Sequence, residues 1–329
     1  MDEIEEQKIK YYKGENIIFC KNKCIAGRNY YWLLFSFISY SFPNIGFIFV
    51  IFLTKKETYF IFTKIFIPIL YILEIYLSIR TGCTDPGILP KQYINYVKKK
   101  SERKSVIRGH LITLKYCISC DIFRPPRASH CAKCNNCVQK FDHHCDWTGT
   151  CIGIRNYKFF YLLILTLMID EIYQISFCFY LLLNHILEIK KGKGINLMII
   201  ISIIIIIFYD LLFIIFFLGK LFLLHSYLCC NNITFYENYK KKFHKIPGFN
   251  PYKQDFCIYF MQLFCKCPRK TIFFDNPINM EENGLDNQKI NAHIVNKRLF
   301  PEKQIIANNK IKNDNNNIYN KDNYFSLIT

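Results

Sequence analysis

Between Cys117 and Cys151 the chain reads C-I-S-C, then R-P-P-R-A-S-H-C-A-K-C-N-N-C, then F-D-H-H-C-D-W-T-G-T-C. Seven of the sixteen cysteines and three of the eight histidines fall in these thirty-five residues. Structural zinc takes four Cys or His ligands in a closed tetrahedral site. The window supplies ten candidates: Cys117, Cys120, His130, Cys131, Cys134, Cys137, His143, His144, Cys145 and Cys151. Two closed sites use eight of them and leave two. If the two left over are a neighbouring histidine and cysteine, the metal-bound scaffold holds a nucleophile beside its base. In an extended stretch alternate residues share a face, so His143 and Cys145 point one way and His144 the other, toward metal. Spacing alone leaves the pairing of ligands open between sequential and interleaved sites.

The elements that must carry this window are apolar. The chain is 51% hydrophobic, with 31 Phe and 23 Tyr, yet has a net charge of +18, and its apolar and basic runs are segregated, as in a membrane protein with basic loops. Four stretches, 31–53, 60–79, 159–189 and 195–224, are long enough to cross roughly 30 Å of hydrocarbon. Lys64 and Glu74 interrupt the second. An even number of spans puts both termini on one side. Lys8, Lys10, Lys13, Lys21, Lys23 and Arg28 precede the first span and a basic loop follows the second, whereas the opposite connections hold only Lys55, Lys56, Lys190, Lys191 and Lys193. The excess of positive charge predicts cytosolic termini and a cytosolic central loop. Clustered cysteines in that reducing compartment argue for metal rather than disulfides. The first thirty residues are charged and show no cleavable leader.

From Cys117 to Phe160 the chain resembles, without a gap, the cysteine-rich domain of the DHHC family of protein S-acyltransferases (palmitoyltransferases). The R-P-P-R-A-S-H-C stretch, with Ile152, Gly153, Arg155, Asn156, Tyr157 and Phe159, is most similar to the branch that contains the yeast Ras palmitoyltransferase and many plant enzymes. The resemblance implies two structural zinc ions, one on Cys117, Cys120, His130 and Cys137 and the other on Cys131, Cys134, His144 and Cys151. It implies that Cys145 is the nucleophile, His143 its base and Asp142 the group that fixes the imidazole tautomer. Asp142 does not share the Cys145 face in a simple strand, so its role rests on the resemblance and requires a turn. The implied reaction carries a fatty acyl group from acyl-CoA (palmitoyl-CoA) through a Cys145 acyl-enzyme to a protein thiol.

Outside the window, Asp85-Pro86-Gly87 matches the family's Asp-Pro-Gly signature; as bare sequence it is a turn. Thr234 and Glu237 match its Thr-Thr-x-Glu motif, with Phe235 in place of the second threonine. Asn250-Pro251-Tyr252 and Phe264-Cys265 resemble an aromatic-rich C-terminal segment, with Tyr259 where Asn is usual. Asp146 stands where the family usually has Pro, and Thr150 where it often has Asn. A carboxylate beside a thiol raises its pKa unless it faces water. Cys20 and Cys24 lie ahead of the first span, Cys229 and Cys230 at the fourth, and Cys265 and Cys267 in the C-terminal segment; juxtamembrane cysteines of this sort can carry palmitate.

The expected architecture is an all-α membrane protein of four transmembrane helices, with a cytosolic two-zinc domain between the second and third. Its segments are a cytosolic N-terminus (1–29), spans one and two (30–79), the zinc domain (80–158), spans three and four (159–225), a cytosolic C-terminal segment (226–278) and an Asn/Lys-rich disordered tail (279–329). Glu74, Asp170, Glu171 and Asp210 lie inside spans, where ionisable groups are costly; they are expected to bond across helices or to line the far end of an acyl cavity. Basic runs such as Lys98-Lys99-Lys100 and Lys240-Lys241-Lys242 suit lipid headgroups and the phosphates of coenzyme A. The expected partners are acyl-CoA, substrate proteins with juxtamembrane cysteines and the bilayer, with room for an accessory subunit and no nucleic acid. The expected location is an endomembrane, Golgi or ER. The rival reading is a catalytically weak, membrane-tethered zinc domain that binds proteins.

Overall fold

The computed structural model describes residues 14–20, 24–54, 59–91, 103–107, 110–192, 194, 196–241, 250–253, 255, 258, 261 and 264. The 279–329 tail, Lys8, Lys10, Lys13, Lys21, Lys23, Lys55, Lys56, Lys98–Lys100, Lys193, Lys242, Tyr259, Cys265 and Cys267 lie outside the described residues. The chain divides into two compact units, one of residues 1–95 and 116–274, the other of 96–115 and 275–329. In the second unit, Arg103–Ile107 and His110–Leu114 form an antiparallel hairpin.

The first unit is built on four helices long and apolar enough to cross a membrane. They are α1 (Tyr31–Leu53), α2 (Tyr59–Cys83), α3 (Tyr157–Lys190) and a fourth rod made of α4 (Leu197–Phe213), a π-helical turn (Ile214–Leu218) and α5 (Gly219–Cys230). Their outward faces are apolar: Phe42 is 58%, Ile72 65% and Phe216 68% exposed. A water-soluble bundle would hide such residues; here they form the lipid-facing surface of a multi-pass membrane protein. The helices overrun the expected spans. The second reaches Cys83, the third starts at Tyr157, and the fourth continues to Cys230, because backbone hydrogen bonding carries each helix past its apolar run.

Two apolar layers fill the bundle. One gathers Tyr40, Leu77, Phe159, Phe160, Leu163, Ile164, Leu167 and Leu218 around Cys145 and Ile152. The other packs Phe47, Val50, Ile51, Ile67, Cys178, Leu181 and Ile203 farther along the helices. Between them runs a polar belt of Asn44, Glu74, Asp170, Glu171, Gln174 and Asp210, all 0% exposed. Asn44 donates to Glu74 (3.4 Å), and Gln174 donates to Asn44 (3.2 Å) and to Asp170 (2.7 Å). Glu74 and Asp170 are thus linked across helices through two amides, while Glu171 and Asp210 are buried in the same belt.

The cysteine-rich region between α2 and α3 consists of short strands rather than helices. Ahead of α1, β1 (Ile17–Phe19) and β2 (Cys24–Ala26) form a hairpin of their own. β3 (Ile88–Leu89), β8 (Ser129–Cys131) and β9 (Asn136–Val138) form a three-stranded sheet with β9 in the middle. With β4 and β5 the hairpin strands of the second unit, two further ladders pair β6 (Tyr116–Cys117) with β7 (Ile122–Phe123) and β10 (His143–Cys145) with β11 (Thr150–Ile152).

Candidate active site and metal centres

The strand register sorts the ligands. His130 is paired across the ladder with Cys137, and Cys131 with Asn136; adjacent residues face opposite sides. His144 is paired with Cys151 in the same manner. His130 Nδ1 lies 3.5, 3.4 and 3.8 Å from the Sγ atoms of Cys117, Cys120 and Cys137. His144 Nδ1 lies 3.6, 3.4 and 3.7 Å from those of Cys131, Cys134 and Cys151. Within each Cys3His set all ligand atoms fall within 4.8 Å of one another. A zinc tetrahedron with ~2.3 Å Zn–S and ~2.0 Å Zn–N bonds has S···N edges of about 3.5 Å, so both sets fit a closed zinc site. The tight turns that bring the ligands round place Asp121, Asn135 and Lys140 at φ of 54°, 49° and 45°.

Cys145 belongs to neither set. It is 8% exposed, at the end of β10 and against the apolar layer of the bundle. Asp142 immediately precedes β10, and its Oδ2 lies 2.8 Å from His143 Nδ1. Asp142 is 1% exposed; its Oδ1 accepts from the Phe235 N–H at 2.9 Å and its carbonyl from the Tyr236 N–H at 3.1 Å. Burial opposes charge on the His143 ring, but the bonds to Asp142 and Cys145 outweigh it and raise the imidazole's pKa to about 10. Burial likewise opposes a Cys145 thiolate, and the His143 bond and charge outweigh it, holding the thiol below its usual value. A thiolate beside an imidazolium is the reactive form of cysteine.

Asp146 does not act on that thiol. Its carboxylate is 57% exposed, 2.6 Å from Lys133 Nζ, and lies 3.7 Å from His144 Nε2 on the far side of the strand. The carboxylate turns toward water and toward the outer nitrogen of a metal ligand, away from the nucleophile.

The remaining motif residues are braces. Asp85 Oδ1 accepts the N–H groups of Gly87 (2.8 Å) and Ile88 (2.9 Å), and its other oxygen pairs with Arg155. Pro86 offers its carbonyl to the Arg155 N–H. Gly87 has φ of +106°, and a Cβ there would stand 2.7 Å from Ile154 Cγ2. Asn156 joins three elements: its Oδ1 accepts the Gly153 N–H (2.9 Å), and its Nδ2 donates to the carbonyls of Thr81 (3.1 Å) and Cys151 (2.9 Å). Thr234 and Glu237 form a complete capping box on α6 (Phe235–Tyr239). Arg127 grips Glu237 with Nε at 2.9 Å and Nη2 at 2.7 Å, and also bonds Asn232. Phe235 leaves this brace intact, since its backbone serves Asp142 and its ring lies 5.9 Å from that of His143.

Sequence reasoning passed over Arg127, the Phe235 N–H and His225. Arg127 stood in the quoted R-P-P-R run. His225 was visible as a titratable residue immediately after the last apolar stretch, the kind of position that merits a partner search.

Residues 110–242 match the family model described as DHHC palmitoyltransferase. Similar proteins include probable protein S-acyltransferase 5 of Arabidopsis thaliana, 30% identical over 288 residues, covering 78% of this chain and 58% of that protein. Palmitoyltransferase ZDHHC18 of Rattus norvegicus is 34% identical over 206 residues, covering 57% of this chain and 52% of that protein. Palmitoyltransferase ZDHHC9 of Danio rerio is 40% identical over 132 residues, 34% of each chain. The chain spans about half the length of the first relatives it matches.

Proposed function

We propose that the protein is an S-acyltransferase that moves a fatty acyl group, palmitoyl in the simplest case, from acyl-CoA to cysteine thiols of proteins at the membrane surface. The observation that carries this reading is the line Asp142–His143–Cys145. A buried carboxylate fixes one face of an imidazole, and the other face meets a thiol that no metal set claims. In the first step the Cys145 sulfur bonds to the thioester carbonyl carbon, the C–S bond to coenzyme A breaks, and His143 gives its proton to the departing thiolate. In the second step His143 takes the proton of the acceptor thiol, whose sulfur bonds to the acyl carbon as the Cys145–acyl bond breaks. Asp142 holds the Nδ1 proton throughout.

Two zinc ions on the Cys3His sets supply structure: four protein ligands close each site and leave no open position for chemistry. The asymmetry of Lys and Arg supports cytosolic termini and a cytosolic zinc domain, with the segment boundaries 1–29, 30–79, 80–158, 159–225, 226–278 and 279–329 as read from the sequence. An endomembrane location in Golgi or ER and kinship with the branch of the yeast Ras enzyme belong to the same proposal; the plant relative supports the latter. An exposed Asp146 and an intact α6 brace argue against the rival reading as an inert binding module.

The test is a fatty-acid label released by hydroxylamine. Wild-type protein incubated with palmitoyl-CoA takes the label on Cys145. Cys145→Ser protein takes none and keeps both metals. A label that persists in the Ser variant, or loss of a metal with it, overturns the assignment.

A further inference from the structure

Beside the proposed nucleophile and base lies an imidazole that acyl transfer does not use. His225, on α5, is 1% exposed. Its ring centroid is 5.7 Å from that of His143 and 4.9 Å from that of Phe160. One ligand atom each from Asp142, His143 and His225 falls within 4.8 Å of the other two. We propose that these three residues form a third metal site, distinct from the Cys3His sets, which takes a divalent ion of the zinc class and silences acyl transfer while it is occupied.

The donor set is right for such an ion: two imidazoles and a carboxylate is a common three-ligand set for zinc with an open fourth position. The surroundings are also those of a ligand site, in which the outer atoms of metal-bound His and Asp are held by further hydrogen bonds. Asp142 Oδ1 accepts from the Phe235 N–H, and the Tyr157 hydroxyl stands 3.4 Å from His225 Nδ1. This leaves Asp142 Oδ2 and one His225 nitrogen for the ion. Tetrahedral zinc with ~2.0–2.2 Å bonds needs ligand separations of about 3.3 Å. Asp142 Oδ2 and His143 Nδ1 are 2.8 Å apart, so a small opening admits the ion between them. The way in is the His143 edge, whose side chain is 19% exposed while that of Asp142 is 1% exposed.

The consequence for function rests on the acyl-transfer reading; the binding of metal does not. An ion on Nδ1 replaces the proton that Asp142 holds there, and that proton leaves to solvent. The ring then keeps its one remaining proton on Nε2, facing Cys145. That proton is no longer the acid of an imidazolium, so the ring cannot readily pass it to the departing coenzyme A thiolate and the first step stalls. In the second step no nitrogen is free to accept a proton from the acceptor thiol.

The experiment uses the full chain in detergent, loaded with two equivalents of zinc, and titrates free zinc in a metal buffer. Bound metal is counted and autoacylation by palmitoyl-CoA is measured at each point. Wild-type protein is expected to take a third equivalent, to lose autoacylation as it binds, and to recover when the third ion is chelated. His225→Asn should keep the rate seen at two equivalents and need at least roughly tenfold more free zinc for inhibition, the smaller end of what even an outer-contact residue contributes to affinity. His225→Phe, which keeps a ring against Phe160, serves if the Asn variant misfolds. Saturation of wild type at two equivalents overturns the proposal. So does equal inhibition of wild type and both variants, which would place the ion on the Cys145 sulfur alone. If wild-type protein at two equivalents does not autoacylate, the acyl-transfer reading fails, and the third equivalent still decides the metal site.

Discussion

Glu237→Gln isolates the brace that links α6 to the proposed catalytic carboxylate. Glu237 is 2% exposed and accepts from Arg127 Nε (2.9 Å), Arg127 Nη2 (2.7 Å) and the Thr234 N–H (2.9 Å). Glutamine keeps the shape but removes the charge and turns an NH2 group toward donors. Breaking a buried pair from one side costs about 3–5 kcal/mol, because the surviving charge is stranded. Arg127 keeps its bonds to Asn232 and its place over the Tyr252 ring, 4.4 Å to the centroid, so the lower end, about 3 kcal/mol, applies. At roughly 2–4 °C per kcal/mol for a unit of this size, the thermal midpoint in detergent should fall by about 6–12 °C. Autoacylation should fall with it, since α6 carries the Phe235 N–H that holds Asp142. Arg127→Met on the Gln background removes the stranded charge, so the double variant should be less destabilised than the sum of the singles. A midpoint within about 2 °C of wild type, less than 1 kcal/mol, together with additive singles, would refute the reasoning.

Two further substitutions separate metal from chemistry. Cys134→Ala should cost one of two zinc equivalents, counted by mass spectrometry of the native protein, with loss of stability before any loss of catalytic geometry, because a closed zinc site contributes folding energy directly. Asp146→Asn removes an exposed ion pair with Lys133, worth at most about 1 kcal/mol; the pH–rate profile of autoacylation should stay where it is. A shifted profile would mean the carboxylate does reach the thiol.

The ligands were legible because a zinc knuckle is local: Cys117, Cys120 and His130, or Cys131, Cys134 and His144, are gathered by tight turns that spacing reveals. The split of His143 from His144 was legible for a similar reason, the two-residue period of a strand. The orientation of Asp146 was not, since it depends on Lys133, thirteen residues earlier, on a different hairpin. Phe235 read as a lost threonine because side-chain identity says nothing about a backbone N–H, which is what this position contributes. His225 lies eighty-two residues after His143 along the chain, and only helix packing brings them together. The third span starts ahead of its apolar run because Asn156, tied by its side chain to Gly153, Thr81 and Cys151, offers its backbone carbonyl to the Phe159 and Phe160 N–H groups and begins α3 there.

The polar belt bears on how the chain enters its membrane. A charged residue at the centre of a helix raises the free energy of insertion by roughly 2.5–3.5 kcal/mol, and α2 carries both Lys64 and Glu74. Its relief comes from α1, which emerges first and presents Asn44 to Glu74. The two helices thus favour lateral exit as a hairpin. Gln174 is then the latch: it reaches Asn44 only after α3 has arrived, and Asp210 is buried last, with the final rod. A bundle that stalls before that step leaves carboxylates facing lipid, a defect that membrane quality control can recognise without reading any part of the catalytic region.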